Sequence, residues 1–147
     1  MKISNLEQLQ ELYGEPHPAT AEKKSSTLIK KAIDFIAKSP FIVLSTASGK
    51  GLITSSPKGD APGFVYVQDK KTLLIPDRPG NKLIDGHTNI IENPNIGLIF
   101  FVPNIRETLR INGKAELRND PELLNRLEAR GKPASLVTRI TVEESFF

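Results

Sequence analysis

From Phe41 onward, short apolar runs alternate with turn signals, and this pattern limits the fold more than any other feature of the sequence. The runs are rich in β-branched and aromatic residues and are bounded by glycine, proline, asparagine or charged pairs, which is typical of strands joined by hairpins. Strands of this kind, interrupted by helices, predict a mainly β fold: an antiparallel barrel of six or seven short strands with added helices. The predicted strands are 41–46, 52–55, 64–67, 72–75, 96–102, 108–117 and 135–142.

Two helices are predicted before the first strand. Ser4 and Glu7 have the spacing of a capping box, and the apolar stripe that follows them ends at Gly14, a residue type that favours the end of a helix. A second amphipathic pattern predicts a helix over residues 21–38, which Pro40 ends because the residue before a proline avoids the helical conformation.

Two more helices are predicted between the strands. Residues 82–92 have an apolar side that includes His87, and residues 121–129 follow an N-cap aspartate and begin with a proline. The chain is therefore expected to consist of a helical segment, residues 1–38, and a barrel, residues 39–147, within a single domain.

Composition excludes several classes of function. The chain has no cysteine, which excludes disulfides, thiolate metal sites and cysteine nucleophiles. No apolar run reaches the length of a membrane span, and the N-terminus lacks the apolar core of a signal peptide, so we expect a cytoplasmic location and no membrane partner. The net charge of +3 is modest, and lysines 23–24 and 30–31 predict a solvated helix face rather than a nucleic-acid surface.

Two segments that follow predicted strands carry the residue types of a phosphate site. Residues 55–60 and residues 76–82 each combine cations with small residues and free backbone N–H groups, and the second also begins a helix, whose N-terminus favours anions. The alternative is that both segments are ordinary turns with solvated charges. The candidate phosphate-binding residues are Ser56, Lys58, Gly59, Arg78, Asn81 and Lys82.

Asn89 and Arg110 are the remaining candidates for a ligand site. Asn89 lies off the apolar side of its predicted helix, and Arg110 alternates with apolar neighbours on its strand, so that it faces a ligand, a dimer interface or solvent. His87 is predicted to be a core or interface histidine. His17 and His87 lack metal-ligand spacing and a carboxylate cluster, so no metal site is predicted.

The sequence contains no pattern for nucleophilic catalysis or for dinucleotide binding. Ser55 and Lys58 have Ser-x-x-Lys spacing, but the proline between them is poor context for the helical form of that motif. A Gly-x-Gly-x-x-Gly segment is absent. Catalytic residues therefore stay unassigned, and we expect any chemistry to belong to a cofactor.

Taken in order, a series of motifs that covers most of residues 41–117 resembles a subgroup of the pyridoxamine 5′-phosphate oxidase-like, FMN-binding split-barrel proteins. The ordered series is more specific than any one of its motifs. The motifs are Ser39-Pro40-Phe41, Ser56-Pro57-Lys58-Gly59-Asp60-Ala61-Pro62-Gly63-Phe64, Pro76-Asp77-Arg78-Pro79-Gly80-Asn81-Lys82, Asn89-Ile90, Asn93-Pro94 and Glu107-Thr108-Leu109-Arg110-Ile111-Asn112-Gly113-Lys114-Ala115.

The resemblance implies an antiparallel split barrel of the FMN-binding type that forms a homodimer, with FMN in a groove shared by the two subunits. It implies that Ser56 and Lys58 line the flavin and its phosphate. Three further residues would hold the phosphate itself: Arg78, Asn81 and Lys82. Secondary contacts are implied for Asn89 and Arg110, the latter available from the partner subunit.

The same resemblance implies a tail beyond the last strand that bears cysteine, lysine and arginine, and this sequence stops before it, at Phe147. The pyridoxamine phosphate oxidases proper also carry substrate-binding arginine and histidine positions near their C-terminus, so vitamin B6 activity is not predicted. Phe146 and Phe147 are expected either to dock at the core or an interface, or to continue into a longer chain.

Three functions fit these expectations. The first is an FMN-dependent oxidoreductase in which the protein binds the phosphate and orients the ring between an electron donor and a small-molecule substrate. The second is a non-enzymatic module of the same fold that binds or senses a flavin, a deazaflavin or haem. The third is a structural dimer without a ligand, which the cations Lys58, Arg78 and Lys82 disfavour.

Overall fold

The computed structural model describes residues 1–15, 17–19, 23–78 and 85–147, with the side chain of Asp85 excepted. The strands are β1 (Phe41–Ala47), β2 (Ile53–Gly59), β3 (Tyr66–Asp69), β4 (Thr72–Asp77), β5 (Asn95–Phe101), β6 (Leu109–Arg118) and β7 (Leu136–Phe146). Within the described ranges these seven strands form one antiparallel sheet in the order β2-β1-β5-β6-β7-β4-β3. The mainly β fold predicted from the sequence is confirmed, with the higher of the two predicted strand numbers.

The helices with described bounds are α1 (Leu6–Tyr13), α2 (Lys30–Lys38), α3 (Asp85–Glu92) and α4 (Pro121–Arg126). The cap of α1 lies one residue later than predicted, because the Asn5 side chain, not Ser4, accepts a hydrogen bond from the Gln8 N–H at 2.8 Å. α1 has no buried residue. Among the described helices, none combines the length and apolar character that a membrane crossing requires.

Alternate residues of the strands fill the barrel. Ile42 of β1 and Leu73 and Ile75 of β4 are fully buried, and Phe35 and Ile36 of α2 join them in one cluster. Each side chain of this size contributes about 1.5–3 kcal/mol when it is removed from water. The apolar face of α2 is thus part of the barrel core.

The barrel is split where β2, one edge of the sheet, lies opposite the end of β4. In the described residues no backbone pairing joins these two strands. Side chains span the gap instead: Lys58 Nζ lies 3.4 Å from Asp77 Oδ1, and Arg78 Nε donates to Asp60 Oδ2 at 3.2 Å. The segments that carry the predicted phosphate residues therefore do meet in space.

The second helix is shorter than the predicted range of residues 21–38, because its described part begins at Lys30. Ser25 instead forms an antiparallel bridge with Ser145 of β7, through N–H···O distances of 2.9 and 2.7 Å. This non-local backbone pairing overrides the helical periodicity of the segment, in which serine and threonine are weak helix formers.

The segment predicted as a loop at residues 55–60 lies mostly in β2, which runs through Pro57 to Gly59. A proline is tolerated there because β2 is an edge strand and has an unpaired side. The last strand is also longer than predicted, since β7 continues to Phe146. The strand assignment matters for the site, because alternate residues of β2 point to the same side of the sheet.

Candidate functional site

An open cavity of about 530 Å³ occupies the split of the barrel. A volume of this order suits a small-molecule ligand or cofactor. The described residues that line it come from β2 and the segment after it, from the end of β4 and the residue after it, and from the start of α3: Thr54, Ser55, Ser56, Pro57, Lys58, Gly59, Asp60, Phe64, Pro76, Asp77, Arg78 and Gly86.

Strand alternation determines which side chains of β2 enter the barrel. Lys58 lies opposite the fully buried Ile42 of β1, so Ser56, Lys58 and Asp60 share the inner side and are half-buried. Gly59 faces outward, beside the ring of Phe41, and contributes backbone to the cavity wall. The structure therefore places Ser56 and Lys58 on the same side of β2, and Gly59 reaches the cavity only through its backbone.

Asp77 joins two groups at the end of β4. Its Oδ1 lies 3.4 Å from Lys58 Nζ, and its Oδ2 lies 2.7 Å from His87 Nε2 of α3. Their side chains are 11%, 22% and 18% exposed, respectively. Burial alone would raise the pKa of Asp77, but the hydrogen bond from His87 and the charge of Lys58 outweigh it and hold that pKa below its ordinary value.

We expect Asp77→Asn to lower the free energy of unfolding at neutral pH by about 1–3 kcal/mol, because the charge-assisted contacts to His87 and Lys58 are weakened. The depressed pKa means that this contribution is present above the unfolded value of 3.8 and is lost as the pH falls through the folded-state value. In urea denaturation, the difference between the wild type and the variant should shrink below about pH 4. A difference that is independent of pH would contradict the pairing.

Arg78 is fixed by two partners on the other side of the cavity. Its Nε donates to Asp60 Oδ2 at 3.2 Å, and its Nη1 donates to the backbone oxygen of Leu127 at 2.7 Å. The N–H of Ala61 and then the Arg78 guanidinium hold the pKa of Asp60 below its usual range, so the carboxylate stays ionised. Two fixed donors orient the planar guanidinium, whose five N–H groups allow further donation to a ligand.

The side chain of Asn89 is hydrogen-bonded to other side chains of the protein in this structure. It is 8% exposed, and its Nδ2 donates to Thr46 Oγ1 at 3.0 Å and to Thr54 Oγ1 at 3.3 Å. These bonds attach α3 to β1 and β2. Gly86, one turn earlier, lines the cavity and brings the helix close to the Ser56 hydroxyl.

Arg110 lies away from the cavity of its own chain. It is on the outer side of β6, opposite Ile99 of β5, and its guanidinium lies 4.4 Å from the centroid of the Phe146 ring. β1 and β5 separate it from β2 in the sheet. A ligand contact from Arg110 would therefore come from a second copy of the chain. Asn81 and Lys82 lie outside the described residues.

An apolar strip runs along the same outer face. Phe41 and Phe101 are cross-strand partners whose ring centroids lie 6.0 Å apart, yet they are 41% and 37% exposed. Val43 and Ile99 form the next outward pair and are half-buried. Contiguous exposed apolar area of this kind is typical of an interaction surface.

Sequence reasoning missed the grouping of Asp60, Asp77 and His87. Asp77 falls in the candidate phosphate segment at residues 76–82, after the predicted strand 72–75, although it continues the inward alternation of Leu73 and Ile75 by two positions. This alternation was the signal in the sequence that could have placed Asp77 on the inner side of the barrel. His87, predicted to be a core or interface histidine, is half-buried and bonded to a carboxylate. In the described part of the chain, no three His, Asp or Glu side chains lie close enough to hold a metal ion.

The sequence profile of a family described as pyridoxamine 5′-phosphate oxidase matches residues 28–147. The match covers well over half of the chain, from the buried Leu28, two residues before α2, to Phe147, the residue after β7. The chain therefore belongs to the pyridoxamine 5′-phosphate oxidase family.

Solved structures share the fold at low sequence identity. A Lactobacillus delbrueckii protein assigned as a pyridoxamine 5′-phosphate oxidase is 20% identical, with a TM-score of 0.67, over 85% of this chain and 99% of that one. An F420 reductase is 17% identical, with a TM-score of 0.52, over 75% and 92%. HutZ, the haem storage protein of Vibrio cholerae, is 12% identical, with a TM-score of 0.53, over 81% and 93%. A search of curated proteins finds no match.

Proposed function

We propose that the chain binds FMN in the split of the barrel and uses it as an oxidoreductase. One observation carries the proposal: Lys58 of β2 and Arg78 after β4 line a single cavity together with the Ser56 hydroxyl. Ammonium and guanidinium groups are the side chains that suit a phosphate monoester, and a hydroxyl adds a further donor. Membership of the family supports a phosphate-bearing ligand.

The other predicted residues extend this site. Asn81 and Lys82 follow Arg78 in the sequence and would add donors to the phosphate. Asn89 would act by holding α3 against β1 and β2 rather than by touching the ligand. Arg110 would contribute from the partner subunit, because it lies on the outer face of its own sheet.

Bound FMN would supply the redox chemistry, since its ring accepts and releases electrons or hydride. The chain's own residues would bind the phosphate, orient the ring against the walls of the cavity and exclude water. Phe64 and Pro76 would provide an apolar wall for the ring. Lys58 and Arg78 would provide the positive charge for the phosphate. Catalytic residues stay unassigned, as do the electron donor and the substrate.

The test is an absorbance titration of the purified protein with FMN and, separately, with riboflavin, which lacks the phosphate. We expect flavin bands that stay with the protein after removal of excess FMN, and at least about tenfold weaker retention of riboflavin, because the charge-assisted contacts are lost. Equal affinity for the two flavins would overturn the phosphate site. Absence of any bound flavin would overturn the proposed cofactor.

Haem and a deazaflavin are the alternative ligands for this fold, and the absorbance spectrum distinguishes them from FMN. A Soret band after haem addition, without flavin uptake, would move the protein to the haem-binding alternative. The structure favours FMN over a His87-ligated haem, because Nε2 of His87 is bonded to Asp77 at 2.7 Å and would have to leave that carboxylate. A deazaflavin would compete with FMN for the same cavity and would be recognised by its own absorbance.

We further propose that two copies form a homodimer through the outer face of β1, β5 and β6. The exposed pair Phe41 and Phe101 would lie at the centre of the interface, with Arg110 reaching the partner's cavity. Apolar side chains at the centre and an arginine near the edge are the composition of such interfaces.

We expect Phe101→Glu to convert the dimer into a monomer, because a carboxylate would be buried without a partner in the apolar strip. Light scattering should change from twice the subunit mass to the subunit mass of 16.2 kDa. Ile91→Glu is the matched control, since Ile91 of α3 is 77% exposed and lies off this face. A dimer that survives Phe101→Glu would exclude this interface.

A further inference from the structure

The two described cations that line the proposed phosphate site are each paired with a carboxylate. Lys58 is paired with Asp77, and Arg78 is paired with Asp60. The N–H of Ala61 and then Arg78 hold the pKa of Asp60 below its ordinary value, and the hydrogen bond from His87 and then the charge of Lys58 outweigh burial and do the same for Asp77. A phosphate monoester carries about 1.5 to 2 negative charges near neutral pH, so its entry would add negative charge beside these two ion pairs.

His87 is a described group that can respond to this added charge by taking up a proton. It lies behind the cavity wall, 2.7 Å from the Asp77 oxygen that does not face Lys58. Lys58 and His87 thus share one carboxylate. When an incoming anion neutralises Lys58, the repulsion between the ammonium and a protonated imidazole falls, while the attraction of Asp77 remains.

We propose that His87 and Asp77 form a proton-linked counter-ion pair, in which binding of an anionic phosphate beside Lys58 is coupled to uptake of a proton by His87. This inference rests on the proposed function, since it concerns the same cavity. His87 is a positioning residue in this scheme: it acts through Asp77 and does not touch the ligand.

Few other charges face His87 in the described residues. α3 packs against β1, β2 and β6, and its residue His87 pairs with Asp77 of β4. β1 presents the uncharged Thr46, β2 presents Lys58 and β4 presents Asp77. The inner side of β6 is apolar, because its charged residues alternate outward. Glu92, on the same helix, lies against the β1–β2 turn at Gly49.

The sign of the effect follows from linkage. If the bound state takes up a proton, the affinity for the phosphate group rises as the pH falls. The increase is at most about tenfold for each pH unit, since one proton is coupled. FMN itself gains a proton near pH 6, so the contribution of His87 must be separated from that of the ligand.

The first experiment observes the imidazoles of the wild-type protein by NMR. The chain has only two histidines, so His17, in a segment far along the sequence from the cavity, is an internal control. Adding FMN near neutral pH should move the His87 resonances toward the protonated position and leave those of His17 unchanged. FMN binding without this movement would overturn the inference and leave the proposed function intact.

The second experiment measures FMN affinity against pH for the wild type and for His87→Gln. Glutamine can donate to Asp77 but cannot take up a proton. We expect the ratio of wild-type to variant affinity to rise by about three- to tenfold from about pH 8 to about pH 6. His17→Gln should behave as the wild type. A constant ratio would overturn the inference alone, whereas failure of every protein to bind FMN at any pH would overturn the proposed function with it.

Discussion

Under the proposed function, we expect replacement of Lys58 by methionine together with Arg78 by glutamine to weaken FMN binding by about 2–5 kcal/mol, a loss of roughly 30- to 5,000-fold, because two charge-assisted contacts would disappear. The expected loss is large because the two cations approach the cavity from different elements, β2 and the end of β4. Neither can compensate for the other by a small movement. Fluorescence quenching of FMN by the protein measures the affinity.

Two controls separate the loss of the phosphate site from a change in the fold. Riboflavin binding should change by less than about 1 kcal/mol in the same variant, since the ring contacts remain. The matched variant Lys30→Met with Arg106→Gln removes two exposed cations away from the cavity and should bind FMN as the wild type does. Parallel weakening of riboflavin and FMN would show that the cavity, not the phosphate contact, was damaged.

Replacing Arg78, alone or in the double variant, also changes the surroundings of Asp60. Asp60 would lose its ion pair with Arg78, although it would keep the hydrogen bond from the N–H of Ala61 at 2.8 Å. A carboxylate left at the cavity would repel the phosphate and increase the loss. Adding Asp60→Asn to the Lys58 and Arg78 variant should therefore recover part of the FMN affinity without restoring either cation.

The strands of the barrel could be predicted because their signals are local. β5 and β6 have long, strongly apolar or alternating patterns, and Pro103-Asn104 marks the turn between them. The segment from Ser55 to Asp60 was harder, since proline and glycine are turn residues in most contexts. Only the position of β2 at the edge of the sheet, which is a property of the whole fold, makes Pro57 acceptable in a strand.

The candidate site could be predicted in part, and the limit has a physical origin. Lys58 and Arg78 were found from residue types that suit a phosphate, and the structure brings them to one cavity. Their carboxylate partners could not be assigned, because Asp77 and His87 meet only after α3 packs against the end of the barrel. Pairing between side chains of different elements leaves no periodic signal in the sequence.

The bulge between β6 and β7 also escaped prediction, and it sets the position of the last residues. Asn112 lies opposite Glu144 and Gly113 lies opposite Val142, so the residue between them on β7 has no partner. Beyond the bulge, Phe146 lies opposite Arg110, and Ser145 pairs with Ser25. The bulge thus connects β7 both to the outer face and to the segment before α2.

Gly113→Ala lowers the free energy of unfolding by about 3 kcal/mol or more, a large share of the 5–15 kcal/mol that a domain of this size has. A Cβ on Gly113 would overlap the carbonyl oxygen of Thr141, and that oxygen belongs to the backbone of a central strand, which cannot move alone. Gly97→Ala is the matched control, since its Cβ would meet only the Asn112 side-chain oxygen, at 3.4 Å.

Urea denaturation of the two variants distinguishes a close backbone approach from a general intolerance of alanine in the sheet. We expect the free energy of unfolding of Gly97→Ala to stay within about 1 kcal/mol of the wild-type value, because the Asn112 side chain can shift. The free energy of unfolding of Gly113→Ala should fall by about 3 kcal/mol or more. If the bulge instead reorganised to admit the methyl group, Gly113→Ala would fold stably but its last strand would shift register. The bridge between Ser25 and Ser145 would then break, and the Ser25 amide would lose its protection from hydrogen exchange. Either route removes the Phe146 ring from its contact with Arg110, so the proposed dimer face and the barrel both require that residue 113 has no side chain.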